Sequence, residues 1–112
     1  MDAADLREYI DFEEGEAVLA TVFETERLWA QTVCLDRNAS YGPVSDPDTD
    51  ALLTILAGEA VFLVGKKQKR LKQWGAIVVP AGAELVVTNA STEPLVVLMV
   101  VAPPPLPPAE PG

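Results

Sequence analysis

Three aspartates alternate along one short segment and have the spacing of calcium ligands. Asp46, Asp48 and Asp50 match the start of a twelve-residue calcium loop, and carboxylate oxygens are the donors that Ca²⁺ prefers. Such a loop also needs a glycine at its sixth position and a bidentate glutamate at its twelfth, where this chain has Ala51 and Ala57. We therefore interpret the segment as an acidic, solvated loop.

Other catalytic chemistry has few candidates, because the chain contains no histidine and a nucleophile most often needs one as its base. Cys34 lies in the apolar segment Trp-Ala-Gln-Thr-Val-Cys-Leu, which favours a buried, inert thiol. General acid–base catalysis by carboxylates stays open if Asp46, Glu59 and Glu84 face one pocket. Exposed turn carboxylates are the simpler interpretation of these three residues.

A more specific pattern lies in the glycine, proline and asparagine residues that precede and follow the middle strands. The segment Pro80-Ala-Gly82-Ala-Glu-Leu85-Val-Val-Thr-Asn89 resembles the second motif of the cupin family of small β-barrels, G-x5-P-x-G-x2-H-x3-N. The segment that ends at Gly58 resembles the first cupin motif, G-x5-H-x-H-x3/4-E-x6-G. One departure is that only four residues separate Gly75 from Pro80, so either Trp74 stands at the glycine position or a residue has been deleted.

In cupins these two motifs supply three histidines and one glutamate to a metal ion. Counting back from Gly58 places the glutamate position at Ala51, and the last histidine position falls on Leu85. The other two histidine positions fall on Val44 and Asp46. Since Val, Ala and Leu carry no donor atoms, the resemblance implies a cupin that holds neither the usual metal nor another cofactor. The four positions are then expected to line a pocket instead.

The resemblance also implies an all-β fold, a double-stranded β-helix or jelly-roll barrel of two antiparallel sheets, and a homodimer. We expect an acidic N-terminal segment at residues 1–14, the barrel at 15–102 and a proline-rich tail at 103–112. The leading hypothesis is a metal-free, non-catalytic protein whose barrel binds a small apolar ligand or is filled by Val44, Ala51 and Leu85.

Two other classes of function stay open. One is a cupin-type enzyme, an isomerase or a dioxygenase-like protein, with a carboxylate metal site built from Asp46, Asp48, Asp50 and Glu59. The other is a protein-interaction module that acts through the basic segment 66–72 or the tail 103–108, which contains P-x-x-P matches.

Apolar and β-branched runs between turn residues predict the strands of this barrel. They lie at 17–23, 28–35, 52–56, 60–64, 68–71, 76–79, 85–88 and 95–102. The sequence predicts a short helix or coil at 2–10, a loop at 36–50 and a polyproline II tail at 103–108.

Composition limits the partners of the chain. Its 112 residues are 49% hydrophobic, enough for one domain with a core, and contain no apolar run that could span a bilayer. The net charge of −9 argues against nucleic acid and anionic membranes. Five of the eight basic residues lie at 66–72, either to protect an edge strand or to contact an anionic partner. An acidic start and a single cysteine predict a cytoplasmic protein.

The aromatic residues are the last candidates for a site. Small-molecule pockets commonly have aromatic walls, so Trp29, Tyr41 and Trp74 are candidates for a ligand cavity, although core packing accounts for most of them equally well. Trp74 follows the basic segment and is expected to cap the barrel mouth or to lie in a subunit interface.

Overall fold

The computed structural model describes residues 1–105, and within this range nine β-strands form two antiparallel sheets. After a short 3-10 helix at Leu6–Tyr9, the strands are β1 Ala17–Glu24, β2 Trp29–Leu35, β3 Ser40–Val44, β4 Asp50–Ala57, β5 Glu59–Val64, β6 Lys67–Lys72, β7 Ala76–Val79, β8 Leu85–Asn89 and β9 Leu95–Ala102. One sheet has the order β1-β2-β9-β4-β7 and the other β3-β8-β5-β6, with antiparallel neighbours throughout. The predicted jelly-roll barrel is confirmed.

The core lies between the two sheets and follows from the alternation of side chains along each strand. Val33 and Leu35 of β2 and Leu53 and Ile55 of β4 are fully buried on the inner face of the five-stranded sheet. The four-stranded sheet faces them with side chains that include Phe62 and Val87. Within residues 1–105 no helix has the length and apolar character needed to cross a membrane.

Strand β3 is the main correction to the sequence analysis, which assigned all of 36–50 to a loop. Gly42 and Pro43 hid this strand, because both are typical of turns and proline cannot donate to a β-ladder. The pairing of β3 with β8 shifts register between Tyr41 and Val44, as in a β-bulge. As a result Tyr41 and Val44 both pack against the core, although simple alternation would place them on opposite faces.

The N-terminal segment covers part of the outer face of the five-stranded sheet. The Thr32 hydroxyl donates to the Tyr9 carbonyl at 2.7 Å, and Thr32 and Cys34 are fully buried even though they alternate with core residues. Burial raises the pKa of the Cys34 thiol, consistent with the inert cysteine expected from the sequence. Of the predicted short helix or coil at 2–10, only Leu6–Tyr9 is helical, as one 3-10 turn.

The basic segment forms an edge strand. Among the described strands β6 pairs only with β5, and its Lys and Arg side chains are exposed. Arg70 pairs with Glu59 across the two strands at 3.2 Å. This arrangement fits the interpretation that the charges protect a sheet edge.

Two residues with left-handed backbone stand at cupin glycine positions. Trp74 has φ 75° and lies six residues before Pro80, while Asn38 has φ 65° and lies six residues before Val44. These are the positions of the first glycine in each motif, so no deletion is needed to align the second motif. Trp74 is 73% exposed, so burial of its side chain does little to offset the cost of its left-handed backbone.

Replacing Trp74 with glycine should raise the free energy of unfolding, because a left-handed conformation costs a non-glycine residue about 1 kcal/mol. Lys72→Gly is the control: Lys72 is also exposed but lies at the end of a regular strand, where glycine should lower stability by roughly 0.5–1 kcal/mol. Urea unfolding measures both changes. Equal loss of stability in the two variants would show that Trp74 is not strained.

Asn89, the last residue of the second motif, joins three segments of the chain. It is 7% exposed, and its amide nitrogen donates to the carbonyls of Leu35 at 3.0 Å, Asp36 at 3.3 Å and Glu93 at 2.8 Å. Its amide oxygen accepts from the backbone N–H of Ser91 at 2.9 Å. The side chain therefore ties the end of β2 to the turn between β8 and β9.

Asn89→Ala should lower the free energy of unfolding by about 2 kcal/mol, because it leaves buried carbonyls without a donor. Thr88→Ala is the matched control, since Thr88 is the preceding residue of β8 and is exposed; its effect should stay within about 0.5 kcal/mol. Urea unfolding monitored by Trp fluorescence distinguishes the two. Similar stability of both variants would contradict a structural role for the Asn89 amide.

Candidate functional site

One end of the barrel is formed by two loops that hydrogen-bond to each other, 45–49 between β3 and β4 and 80–84 between β7 and β8. The Gly82 N–H donates to the Asp46 carbonyl at 2.8 Å, and the Ala81 N–H donates to a carboxylate oxygen of Asp50 at 2.8 Å. These contacts attach the Pro-x-Gly part of the second motif to the segment that carries the first motif. The barrel mouth is therefore held largely by backbone groups.

The strand register places two rows of inward-facing side chains below this mouth. Across the five-stranded sheet the first row is Trp29, Val101, Ala51 and Val79. Gln31 and Met99 belong to the next row. On the opposite sheet Val44 lies beside Leu85, and Tyr41 lies beside Val87.

A cavity of about 190 Å³ lies between these rows. Its wall includes all four positions that match cupin metal ligands, Val44, Asp46, Ala51 and Leu85. Trp29 and Tyr41 also line the cavity, whereas Trp74 does not. The fold thus brings the four motif positions together, and their side chains leave the barrel open rather than filled.

The residues of this site do not fit the metal of typical cupins. Three of the four ligand positions carry hydrocarbon side chains, and Asp46 alone offers a carboxylate. One oxygen of that carboxylate already accepts from the Asp48 N–H at 2.8 Å. In the described part of the chain no three His, Cys, Asp or Glu side chains are grouped as metal ligands would be. We therefore derive no metal-dependent step.

The other carboxylates singled out in the sequence are not brought to the cavity. Asp50 binds the Ala81 N–H, Glu59 pairs with Arg70, and Asp48 and Glu84 are exposed. Among these residues only Asp46 lines the cavity wall. The geometry gives no support to a calcium loop or to a shared carboxylate site.

Gln31 is a cavity residue that the sequence analysis did not single out. Its side chain is 5% exposed and lines the cavity. Its amide forms no hydrogen bond with residues 1–105. Every fully buried polar side-chain atom in that range has a partner, so the unpaired Gln31 amide is not fully buried and must be open to the cavity. The alternation of β2 was the available signal, because it puts Gln31 on the same face as Trp29 and Val33.

The start of the proline-rich tail passes beside the cavity. The buried Thr49 hydroxyl donates to the Pro103 carbonyl at 2.8 Å, and Pro105 forms part of the cavity wall. The rest of the predicted polyproline tail, residues 106–112, lies outside the described residues.

The Tyr41 side chain in the cavity wall is uncharged. Burial raises the pKa of its phenol, so this group stays a neutral hydroxyl well into the alkaline range.

Comparison with known proteins supplies the family. A family model for the cupin domain matches residues 31–101, which is more than half of the chain. This chain belongs to the cupin family. None of the curated proteins matches it in sequence.

Several solved structures resemble this chain over nearly its full length. The TT1209 protein of Thermus thermophilus is 28% identical with a TM-score of 0.89, and the match covers 94% of this chain and 100% of that one. A Klebsiella pneumoniae protein with a double-stranded β-helix domain is 22% identical with a TM-score of 0.86, covering 92% and 90%. An RmlC-like cupin from Desulfovibrio desulfuricans is 21% identical with a TM-score of 0.83, covering 93% and 98%. These similarities establish the fold and assign no ligand to this cupin.

Restoring the donors should restore a metal site if the four positions converge as described. The variant combines Val44→His, Asp46→His, Ala51→Glu and Leu85→His, and should bind about one Ni²⁺ or Zn²⁺ per chain, because three imidazoles and one carboxylate then point into one cavity. Isothermal titration calorimetry and elemental analysis after dialysis measure the stoichiometry.

The control for this variant keeps the first two substitutions but moves the others by one residue, to Leu52→Glu and Val86→His. Adjacent strand residues point to opposite faces of the sheet, so the control should bind no stoichiometric metal. A folded four-donor variant that binds no more metal than this control would show that the four positions do not meet.

Proposed function

We propose that this cupin is a metal-free, non-catalytic protein that binds a small, mostly apolar molecule inside its barrel. The observation that carries the proposal is the open cavity at the four metal-ligand positions, three of which have hydrocarbon side chains. The cupin framework of Pro80, Gly82 and Asn89 persists around a site that has lost its donors. An apolar ligand suits such a wall better than an ion does.

The size of the cavity suits one ring with a short substituent. Its volume of about 190 Å³ is slightly larger than that of an engineered apolar cavity, about 150 Å³, that binds benzene. Hydrocarbon walls from Leu85, Met99 and Val101 and the rings of Trp29 and Tyr41 supply the apolar contacts. The burial of about one ring is the main source of affinity in this proposal.

Filling the cavity should abolish binding of a single-ring probe. We expect benzyl alcohol to cause saturable chemical-shift changes in the wild-type protein, measured by NMR titration. Ala51→Phe should lose them, because the new ring occupies the cavity. Leu52→Phe is the matched control: Leu52 is the next residue of β4, faces outward, and should leave binding unchanged.

Two results would contradict the proposal. One is equal binding of benzyl alcohol by Ala51→Phe and Leu52→Phe when both are folded by circular dichroism. The other is the absence of saturable binding to the wild-type protein across a panel of single-ring probes.

The enzyme alternative finds no comparable support. An isomerase or dioxygenase-like activity would need four carboxylates around one pocket, those of Asp46, Asp48, Asp50 and Glu59. Asp48 is exposed, Asp50 binds the Ala81 N–H and Glu59 pairs with Arg70, so these three do not line the cavity. Metal-dependent turnover that is lost in the Asp46→Ala variant would support the enzyme alternative.

The remaining expectations about partners and location stay predictions. A homodimer is implied by the family, and Leu52 and Val78, which lie side by side on the outer face of the five-stranded sheet, are 43% and 65% exposed. The cytoplasmic location and the lack of nucleic-acid or membrane partners rest on the single cysteine and the net charge of −9.

A further inference from the structure

The charge of the cavity wall selects against anions. Asp46 is the only Asp, Glu, Lys or Arg among the described residues that line the cavity. One of its carboxylate oxygens accepts from the Asp48 N–H, and the other has no hydrogen-bond or ion-pair partner within residues 1–105. An anionic ligand would meet this carboxylate with no lysine or arginine in the wall to offset it, whereas a cation would pair with it.

Two aromatic rings on opposite sheets line the same space. Trp29 comes from β2 and Tyr41 from β3. The indole N–H of Trp29 already donates to the Thr21 hydroxyl at 3.0 Å, which holds the ring and leaves its π-system as the feature available to a ligand. Faces of Trp and Tyr attract ammonium groups, most strongly where water is partly excluded.

The Gln31 amide adds a polar group one row deeper in the cavity. It is more than nine-tenths buried, forms no hydrogen bond with residues 1–105 and lines the cavity, so its carbonyl oxygen can accept a hydrogen bond there. Water in the open cavity can supply that hydrogen bond. A ligand that displaces this water must supply an N–H or O–H of its own, and a purely hydrocarbon ligand does not.

From these three features we infer that the ligand is a small primary ammonium compound with an apolar or single-ring body. Its ammonium group pairs with Asp46 and lies against the rings of Trp29 and Tyr41. Its body fills the space beside Leu85 and Met99, and an N–H or O–H group donates to Gln31. The inference rests on the proposed function of the cavity and specifies the charge and polar group of what binds there.

A charge series of nearly equal size tests the inference: benzylammonium, benzyl alcohol and benzoate, each titrated at low salt and followed by NMR. Wild-type protein should bind benzylammonium roughly tenfold more tightly than benzyl alcohol, and benzoate most weakly. Asp46→Asn keeps an oxygen for the Asp48 N–H but removes the charge, so it should abolish the preference for benzylammonium and leave benzyl alcohol within about twofold.

Two further variants separate the contributions. Asp48→Asn removes an exposed charge from the same loop, outside the cavity wall, and should leave the preference intact. Gln31→Met keeps the length of the side chain without its amide. It should weaken benzyl alcohol, whose hydroxyl can donate to Gln31, more than benzylammonium, whose only donor group pairs with Asp46.

The outcomes distinguish this inference from the proposed function. Equal binding of benzyl alcohol and benzylammonium by the wild-type protein, or preferred binding of benzoate, would overturn the ammonium inference and leave the apolar cavity in place. Failure of all three probes to bind would overturn both. The wild-type charge series decides the matter even if a variant does not fold.

Discussion

The antiparallel register of the five-stranded sheet is the constraint on which the site depends. Pairing of β4 with β9 and β7 puts Ala51 beside Val101 and Val79 on the inner face. A slip of one residue would replace Ala51 with the outward-facing Leu52 and turn every inner side chain of β4 to the other face. The same register determines that Gln31 faces inward among apolar neighbours. The cavity is therefore a direct consequence of strand pairing.

The barrel mouth does not depend on metal-ligand side chains. Gly82 binds the Asp46 carbonyl through its backbone, and Asn89 binds backbone carbonyls on two neighbouring segments. None of these contacts involves the side chain of Val44 or Leu85, which lie at two histidine positions of the cupin motifs. The contacts that hold the fold and the concave site are therefore separate from the side chains that line the cavity.

Much of the fold could be predicted from the sequence because strand alternation and motif spacing are local signals. Counting back from Gly58 placed Ala51 on the wall of the cavity without any coordinates. Strand β3 could not be predicted, since its bulge at Gly42 breaks the alternation that reveals other strands. Gln31 was missed because its importance depends on which groups surround it in three dimensions. Trp74 was expected at the mouth or an interface, and the cavity does not include it.

At the positions that match cupin metal ligands, we propose that this cupin has an accessible, mostly apolar cavity. A crystal structure of the wild-type protein under xenon pressure is the most direct measurement, because xenon binds against apolar walls and scatters strongly. We expect a xenon atom between Val44, Ala51 and Leu85 and no metal ion at that place. Transition-metal density coordinated by Asp46, or a barrel interior that takes up no xenon, would contradict it.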